Sequence, residues 1–231
     1  MKVYRDIEQG SMEWHMLRRG IPTASGFDRI CTGAKGEASK QADEYSYELI
    51  GDLYSDILPE AAEHFTNRAI RHGLNCEAEA RRWYAFERNL DVEEVGFCVS
   101  DCGRWGCSPD GLVGEYGGLE LKCPQAKTQV AYLLKLGLPN EYKPQVHGSL
   151  IVTGRKWWDF MSYSPGLPPL LVRVTPDEYT EKLRKHLEAF SARLESLRLA
   201  FAAKYPEPVH LCGYGMYGRK GHGGSRHDDI P

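Results

Sequence analysis

Residues 105–124 read WGCSPDGLVGEYGGLELKCP, short apolar runs set between glycine-rich breaks, and this pattern predicts a β-hairpin. Strand geometry then decides which side chains meet. In GGLELKC, residues two apart share a face, so Glu120 and Lys122 point together while Leu121 turns into packing. Asp110 stands on the preceding arm, where cross-strand neighbours come close enough for two carboxylates to share one cation. A Pro-Asp-Gly turn and an exposed strand pair would explain each residue singly. Neither explains why all three charged groups fall on one hairpin.

Two carboxylates and the backbone carbonyl of Leu121, which stays near the polar face, are hard oxygen donors that suit Mg2+ or Mn2+ rather than zinc. An ion held in this way keeps positions free for water and for a phosphate oxygen. Lys122 is no ligand while protonated. It is placed to orient or help deprotonate an attacking water, or to offset charge building on a phosphorane-like transition state. The hairpin therefore points to phosphodiester hydrolysis.

The rest of the chain supplies a frame. Ser11 is placed to cap a short helix ending at Arg19, and TASGFDRICTG, from Thr23, reads as a second short helix. Residues 39–58 set Leu49, Ile50, Leu53 and Tyr54 at helical spacing, and 65–88 is again helical, with Glu77 and Glu79 in its middle and Gly73 as a weak point. Strands are predicted at VEEVGFCVS, LVGEYGGLELK, KWWDFMSY and LLVRVT, with a helical segment over 127–150, interrupted around GLPNEYKP, between the second and third. A long helix from Pro176 to Tyr205 carries an apolar stripe. Strands interleaved with helices give an α/β fold, a mixed central sheet flanked by helices. Residues 1–205 are expected to form one domain, and the glycine-rich 206–231 a flexible tail whose Arg219, Lys220 and Arg226 read as solvated.

Composition excludes several classes. No run of 18 apolar residues spans a membrane, and the N-terminus has no apolar centre of a secretory signal, so a cytoplasmic location is expected. Seven cysteines fit reduced thiols better than a disulfide framework. Cys98, Cys102, Cys107 and Cys123 do not have the spacing of a structural zinc site, and strand alternation sends them to different faces. A net charge of −3 argues against a strong overall positive field but leaves room for a local basic groove.

Asp110 after Pro109, nine intervening residues, then Glu120-Leu121-Lys122 resembles the signature of the PD-(D/E)xK nuclease superfamily. The blocks EWHMLRRGIPTAS, GLNCEAEAR, CSPDGL, GLELKCP and PQVHGSLIVTG, in this order between about Gly10 and Tyr163, are similar to those of the phage lambda exonuclease family, the YqaJ-type viral recombinase nucleases. The resemblance implies a PD-(D/E)xK nuclease core and a metal-dependent exonuclease that degrades one strand of duplex DNA from its 5′ end. Its products would be 5′-mononucleotides and a 3′ overhang for recombination. Also implied are Mg2+ as cofactor, two ions with Mn2+ as a substitute, a homotrimeric ring, a single-strand annealing partner, and a phage or prophage origin in a bacterial host cell.

By the same resemblance, Asp110, Glu120 and the Leu121 carbonyl are the metal ligands, Lys122 is the catalytic lysine, Glu77 holds a second metal or its waters, and Gln145 steadies the water or the lysine. Arg18, Ser25 and Ser108 match positions that bind the DNA 5′-phosphate, residue types that suit phosphate. A further basic position falls, on strict alignment, on Thr128, with Lys127 beside it. Ile70 matches an apolar wedge that separates the terminal base pair. Two other readings stand beside this one. One is a related PD-(D/E)xK endonuclease or RecB-type nuclease, although Gln145 is followed four residues on by Ser149 where the latter carries Tyr. The other is a DNA-end binding module without catalysis, which would need none of Asp110, Glu120 and Lys122.

Overall fold

The computed structural model describes residues 1–55 and 68–206, with side chains described from residue 76 onward in the second span. Two sheets make up the β-structure. Strands β1 (Lys2–Tyr4), β3 (Phe97–Val99) and β4 (Gly106–Cys107) form an antiparallel sheet in the order β1-β3-β4. Strands β2 (Val92–Glu93), β5 (Gly111–Val113), β6 (Gly117–Lys122), β7 (Trp157–Ser162) and β8 (Leu170–Val174) form a mixed five-stranded sheet in that order. Only the β6–β7 pair within it is parallel. A parallel pair needs a crossover, supplied here by α4 (Ala126–Lys135), a 3-10 turn (Asn140–Tyr142) and α5 (Lys143–Thr153).

The β5–β6 hairpin forms where the sequence predicts it. VEEVGFCVS, expected as one strand, divides instead between the two sheets as β2 and β3. Gly96 marks the division: its N–H donates to the Tyr4 carbonyl at 2.9 Å, and a Cβ there would overlap the Ile7 carbonyl. Residues 94–96 and 108–110 are thus two short stretches on which the chain passes between sheets.

The helices follow the predicted order with shifted ends. In α1 (Met12–Arg18), Ser11 accepts from the Trp14 N–H, a cap that contributes about 1 kcal/mol. The stretch after Thr23 is a 3-10 helix, Ala24–Arg29, rather than an α-helix. Helix α2 covers Ala42–Tyr54 and α3 Arg68–Arg88, running through Gly73. Helix α6 (Glu178–Lys204) begins after Asp177, whose carboxylate accepts from the Tyr179 and Thr180 N–H groups, and not at Pro176. The predicted helix ends within 56–67, the side chain of Ile70 and the tail from residue 207 lie outside the described residues.

Both faces of the five-stranded sheet are covered. On one, Val113, Leu119, Leu121 and Met161 pack with Ala80 and Tyr84 of α3. On the other, Leu112, Trp158 and Phe160 pack with Val146 and Leu150 of α5 and Leu183 and Leu187 of α6. Each large side chain buried in this way contributes about 1.5–3 kcal/mol. The glycine pair opening β6 has a steric cause. Gly117 and Gly118 lie in register with Trp157 and Trp158, whose indoles fill the space a Cβ would take. Among the described residues, no helix is long and apolar enough to cross a membrane.

Candidate active site

The β5–β6 ladder ends at Gly111 opposite Leu119, while β6 stays paired with β7 through Lys122. Strand β5 therefore peels away from β6 and leaves residues 120–122 with one edge unpaired by main chain. Asp110 spans that gap, its Oδ2 accepting from the Leu121 N–H at 2.6 Å. The Lys122 carbonyl faces β7, where it accepts from the Tyr163 N–H at 2.8 Å. Successive carbonyls of a strand alternate in direction, so the Leu121 carbonyl faces the open edge beside Asp110.

Glu120 and Lys122 share the face toward α5, as strand alternation predicts. Lys122 Nζ lies 2.5 Å from Glu120 Oε1, and Gln145 Nε2, from α5, donates to the same oxygen at 2.6 Å. Glu120 is only 2% exposed. Burial raises its carboxyl to about 7, a rise that Lys122 opposes and the charges of Asp110 and Glu77 reinforce. Asp110 is raised too, by burial, against Lys122 and the Leu121 N–H. Glu77, from α3, is raised by burial and then by Asp110. For Lys122 burial acts downward, but the charges of Glu120 and Asp110 outweigh it and hold the ammonium above its usual range. Nζ is a cation and a donor at neutral pH.

Burial raises all three carboxyls, and the charge of Asp110 adds to the rise at Glu120 and Glu77; a divalent cation at the open edge would offset both effects. The donor set fits a hard ion: Asp110, Glu120 and the Leu121 carbonyl. Among the described residues no three His, Cys, Asp or Glu side chains stand close enough to hold one ion, so Glu77 acts on this pair through its charge rather than as a third carboxylate of one cluster. The cysteines gather no such cluster either; Cys98 and Cys107 face each other across β3 and β4.

Arg18, Ser25 and Ser108 come together at a second point. Arg18 Nη1 donates to Ser108 Oγ at 2.9 Å, and Nη2 to Thr23 Oγ1 at 3.2 Å and Ser25 Oγ at 3.4 Å. The guanidinium lies 4.1 Å from the centre of the Trp14 ring, and the Trp14 indole N–H donates to Ser108 Oγ at 2.9 Å and to the Gly96 carbonyl at 3.1 Å. Burial holds Arg18 below its usual range. Among the described residues its hydrogen-bond partners are hydroxyls, and no carboxylate pairs with it. A half-buried guanidinium with no carboxylate partner has the chemistry to receive an anion.

A cavity of about 510 Å3 opens here, lined by Arg18, Thr23, Ser25 and Tyr45 among others. A second, of about 210 Å3, is lined by Ser25, Asp28, Glu141, Tyr142 and Gln145, so Ser25 stands on both, and Gln145, which holds Glu120, stands on the second. Gly148 allows the 3-10 helix to approach α5, since a Cβ there would overlap the ring of Phe27, two residues after Ser25.

Lys127 lies exposed in the first turn of α4 and lines neither of these two cavities. Ile70 falls on α3 with its side chain outside the described residues. Sequence reasoning missed Trp14, Thr23, Tyr142 and Arg81. Tyr142 sets its ring 5.3 Å from Lys122 Nζ, and Arg81 donates from Nε to the Asp110 carbonyl at 2.9 Å. The spacing of Glu77 and Arg81, four apart on one helix face, was the available signal for the latter.

A crystal structure of an alkaline exonuclease from Laribacter hongkongensis is similar to this chain, with 30% identity, a TM-score of 0.72 and coverage of 84% of this chain and 97% of that one. The same protein in complex with dAMP matches with a TM-score of 0.71 over the same shares. A phage-related exonuclease from Haemophilus somnus, 13% identical over 81% of this chain and 99% of that one with a TM-score of 0.54, shares the fold. No protein with a curated description matches. The model of the YqaJ-like viral recombinase domain matches residues 13–156, the span that carries Arg18, Ser25, Glu77, Asp110, Glu120, Lys122 and Gln145, and the chain belongs to that family.

Proposed function

We propose that the protein is a metal-dependent exonuclease that degrades one strand of linear duplex DNA in the 5′-to-3′ direction, releases 5′-mononucleotides and leaves a 3′ overhang for phage-type recombination. The observation that carries this reading is the joining of an anion site to an acidic cradle by Ser108-Pro109-Asp110. Ser108 belongs to the first and Asp110 to the second, and two residues of chain span at most about 7 Å. A terminal phosphate on Arg18, Ser25 and Ser108 would leave the next phosphate of the strand near Asp110 and Glu120.

Mg2+, or Mn2+ in its place, would be held by Asp110, Glu120 and the Leu121 carbonyl, with Glu77 holding a second ion or its waters, and would polarise the phosphate and acidify a bound water. Lys122 donates from Nζ toward the phosphate oxygens as their charge grows. Gln145, holding Glu120 Oε1, fixes the rotamer that keeps this carboxylate on the cradle. Water adds to phosphorus and the bond to the 3′ oxygen of the terminal nucleotide breaks. That oxygen takes a proton, and the shortened strand keeps a new 5′-phosphate ready for the Arg18 site.

The relatives' activity supports the nuclease reading. A homotrimer around DNA, an annealing partner, Lys127 as a further phosphate contact, Ile70 as the wedge and a role in the host cytoplasm belong to the proposal on family membership. The test is a time course with Mg2+ on end-labelled linear duplexes carrying 5′-phosphate or 5′-hydroxyl. Mononucleotide release from phosphorylated 5′ ends is expected. Attack on closed circles, or indifference to end chemistry, counts against it. Should Lys122→Ala hydrolyse DNA at the parent rate, the catalytic assignment fails.

A further inference from the structure

The main chain on either side of Asp110 has little ladder to hold it. Ser108-Pro109-Asp110 crosses from β4 to β5 between two sheets, and 94–96 makes the reverse crossing from β2 to β3. Two side chains far apart in sequence lace these crossings together. Gln9, from the N-terminal segment, donates from Nε2 to the Pro109 carbonyl and to the Val95 carbonyl, both at 2.9 Å. Arg81, from α3, donates from Nε to the Asp110 carbonyl at 2.9 Å and pairs through Nη1 with Glu94 at 2.7 Å.

Consecutive carbonyls, 109 and 110, are thus each tied to consecutive residues, 95 and 94, of the other crossing. The Asp110 carboxylate in turn has its Oδ2 on the Leu121 N–H. A rotation of the Pro109–Asp110 backbone would swing that carboxylate off the edge of β6, and the four contacts oppose it. Arg81 stands one turn after Glu77, so the same clamp holds the helix that carries Glu77 against the crossing that carries Asp110.

We propose that Gln9 and Arg81 are positioning residues for the cradle, fixing the aim of the Asp110 carboxylate at a divalent cation. The inference rests on the nuclease reading above and adds to it the two side chains that hold the cradle in shape. Groups that orient a metal ligand are worth about 10–100-fold in metal affinity or activity when removed.

The experiment compares the whole chain with Arg81→Lys, Gln9→Leu and Asp110→Asn. Arg81→Lys keeps the charge and removes the fork that reaches the Asp110 carbonyl and Glu94 together. Three quantities are measured: Mn2+ binding without DNA, by electron paramagnetic resonance; kcat and KM for a 5′-phosphorylated duplex at low and saturating Mg2+; and melting temperature. Arg81→Lys and Gln9→Leu are each expected to weaken Mn2+ binding about tenfold and to raise the Mg2+ concentration for half-maximal rate by the same factor. KM for DNA ends should hold, and saturating Mg2+ should restore most of kcat.

Wild-type Mn2+ affinity in both folded variants overturns the proposal. If Arg81→Lys does not fold, Gln9→Leu decides alone, because it acts on the other carbonyl. Asp110→Asn separates the two levels: unchanged Mn2+ binding in that variant removes the cation reading itself, whereas lost binding there with none lost in the other two refutes only the clamp.

Discussion

Removal of the Arg18 guanidinium by Arg18→Ala tests the anion site without touching the cradle. Arg18 offers a fork to a phosphate, and its partners in the fold are neutral hydroxyls of Ser108, Thr23 and Ser25, so no carboxylate competes for it. A hydrogen bond to a charged group contributes about 1.5–3 kcal/mol, which corresponds to about 10- to 150-fold in kcat/KM. That loss should appear only on 5′-phosphorylated ends. On 5′-hydroxyl ends the variant should stay within about threefold of the parent, because the phosphate that Arg18 grips is absent. The surroundings should survive, since Trp14 keeps its bonds to Ser108 and to the Gly96 carbonyl. The assay is initial rates on two linear duplexes that differ only in the 5′ group, each with both proteins. The measured quantity is the ratio of ratios. If the parent prefers phosphorylated ends and Arg18→Ala keeps that preference undiminished, the terminal phosphate is bound elsewhere and the reasoning fails.

Two further outcomes follow from the cradle and the sheet. Glu120 is raised from an ordinary carboxylate to about 7, so without divalent cations its contribution to stability is complete below about pH 4.5 and is lost as pH rises through 7. Asp110 and Glu77 act in the same direction, and Lys122, raised, titrates above this window. In EDTA the melting temperature should therefore fall between pH 5 and pH 8, with Glu120 alone contributing the equivalent of about 3 kcal/mol; Mg2+ should oppose the fall and Glu120→Gln should reduce it. A melting temperature that rises over this range in EDTA contradicts the burial argument. For the sheet, Gly118→Ala sets a methyl into the Trp158 indole and should cost about 1–3 kcal/mol in chemical denaturation, whereas Gly114→Ala, which meets nothing nearby but strains a positive φ, should cost about 1 kcal/mol. A Gly118→Ala variant as stable as the parent would refute the close packing of β6 on β7.

Much of the cradle was legible because it rests on local geometry. Residues two apart on a strand share a face whatever surrounds them, so Glu120 and Lys122 could be paired from the sequence, and Asp110 had to lie across the hairpin. Gln145 is different: it meets Glu120 only because the parallel β6–β7 pair requires a crossover that lays α5 over the sheet. Its role came from the family blocks and not from any periodicity. Arg18, Ser25 and Ser108 likewise lie far apart in sequence and are joined by the packing of α1 and the 3-10 helix on β4.

What stayed hidden depends on tertiary contacts or on elements too short to show a period. Trp14 reads as an apolar helix residue, yet its indole N–H organises Ser108. Strands β1 and β4 span three and two residues, below the length at which alternation can be recognised. VEEVGFCVS looks continuous because a period of two does not register a change of sheet; Gly96, the residue that allows the change, was its only mark. Lys127 was assigned from its neighbourhood in sequence, and α4 places it in an exposed first turn.

The decisive step in building the site is a failure of pairing. Had β5 continued antiparallel to β6 for two more residues, Leu121 would stand opposite position 109, where any residue but proline would take both its N–H and its carbonyl into the ladder, and Asp110 would point across a closed sheet. Because the chain instead leaves for the other sheet at Asp110, the carboxylate takes over the N–H that the ladder gives up, and the carbonyl beside it stays turned to the open edge. One departure thus yields two oxygen donors on the same edge, while β7 on the far side keeps β6 straight enough to present Glu120 and Lys122 together. Pro109 fits this role, since it has no N–H to offer a ladder and favours an extended residue before it, which is Ser108 of the anion site. The residue that ends the pairing is the same one that sets the distance between the two halves of the site.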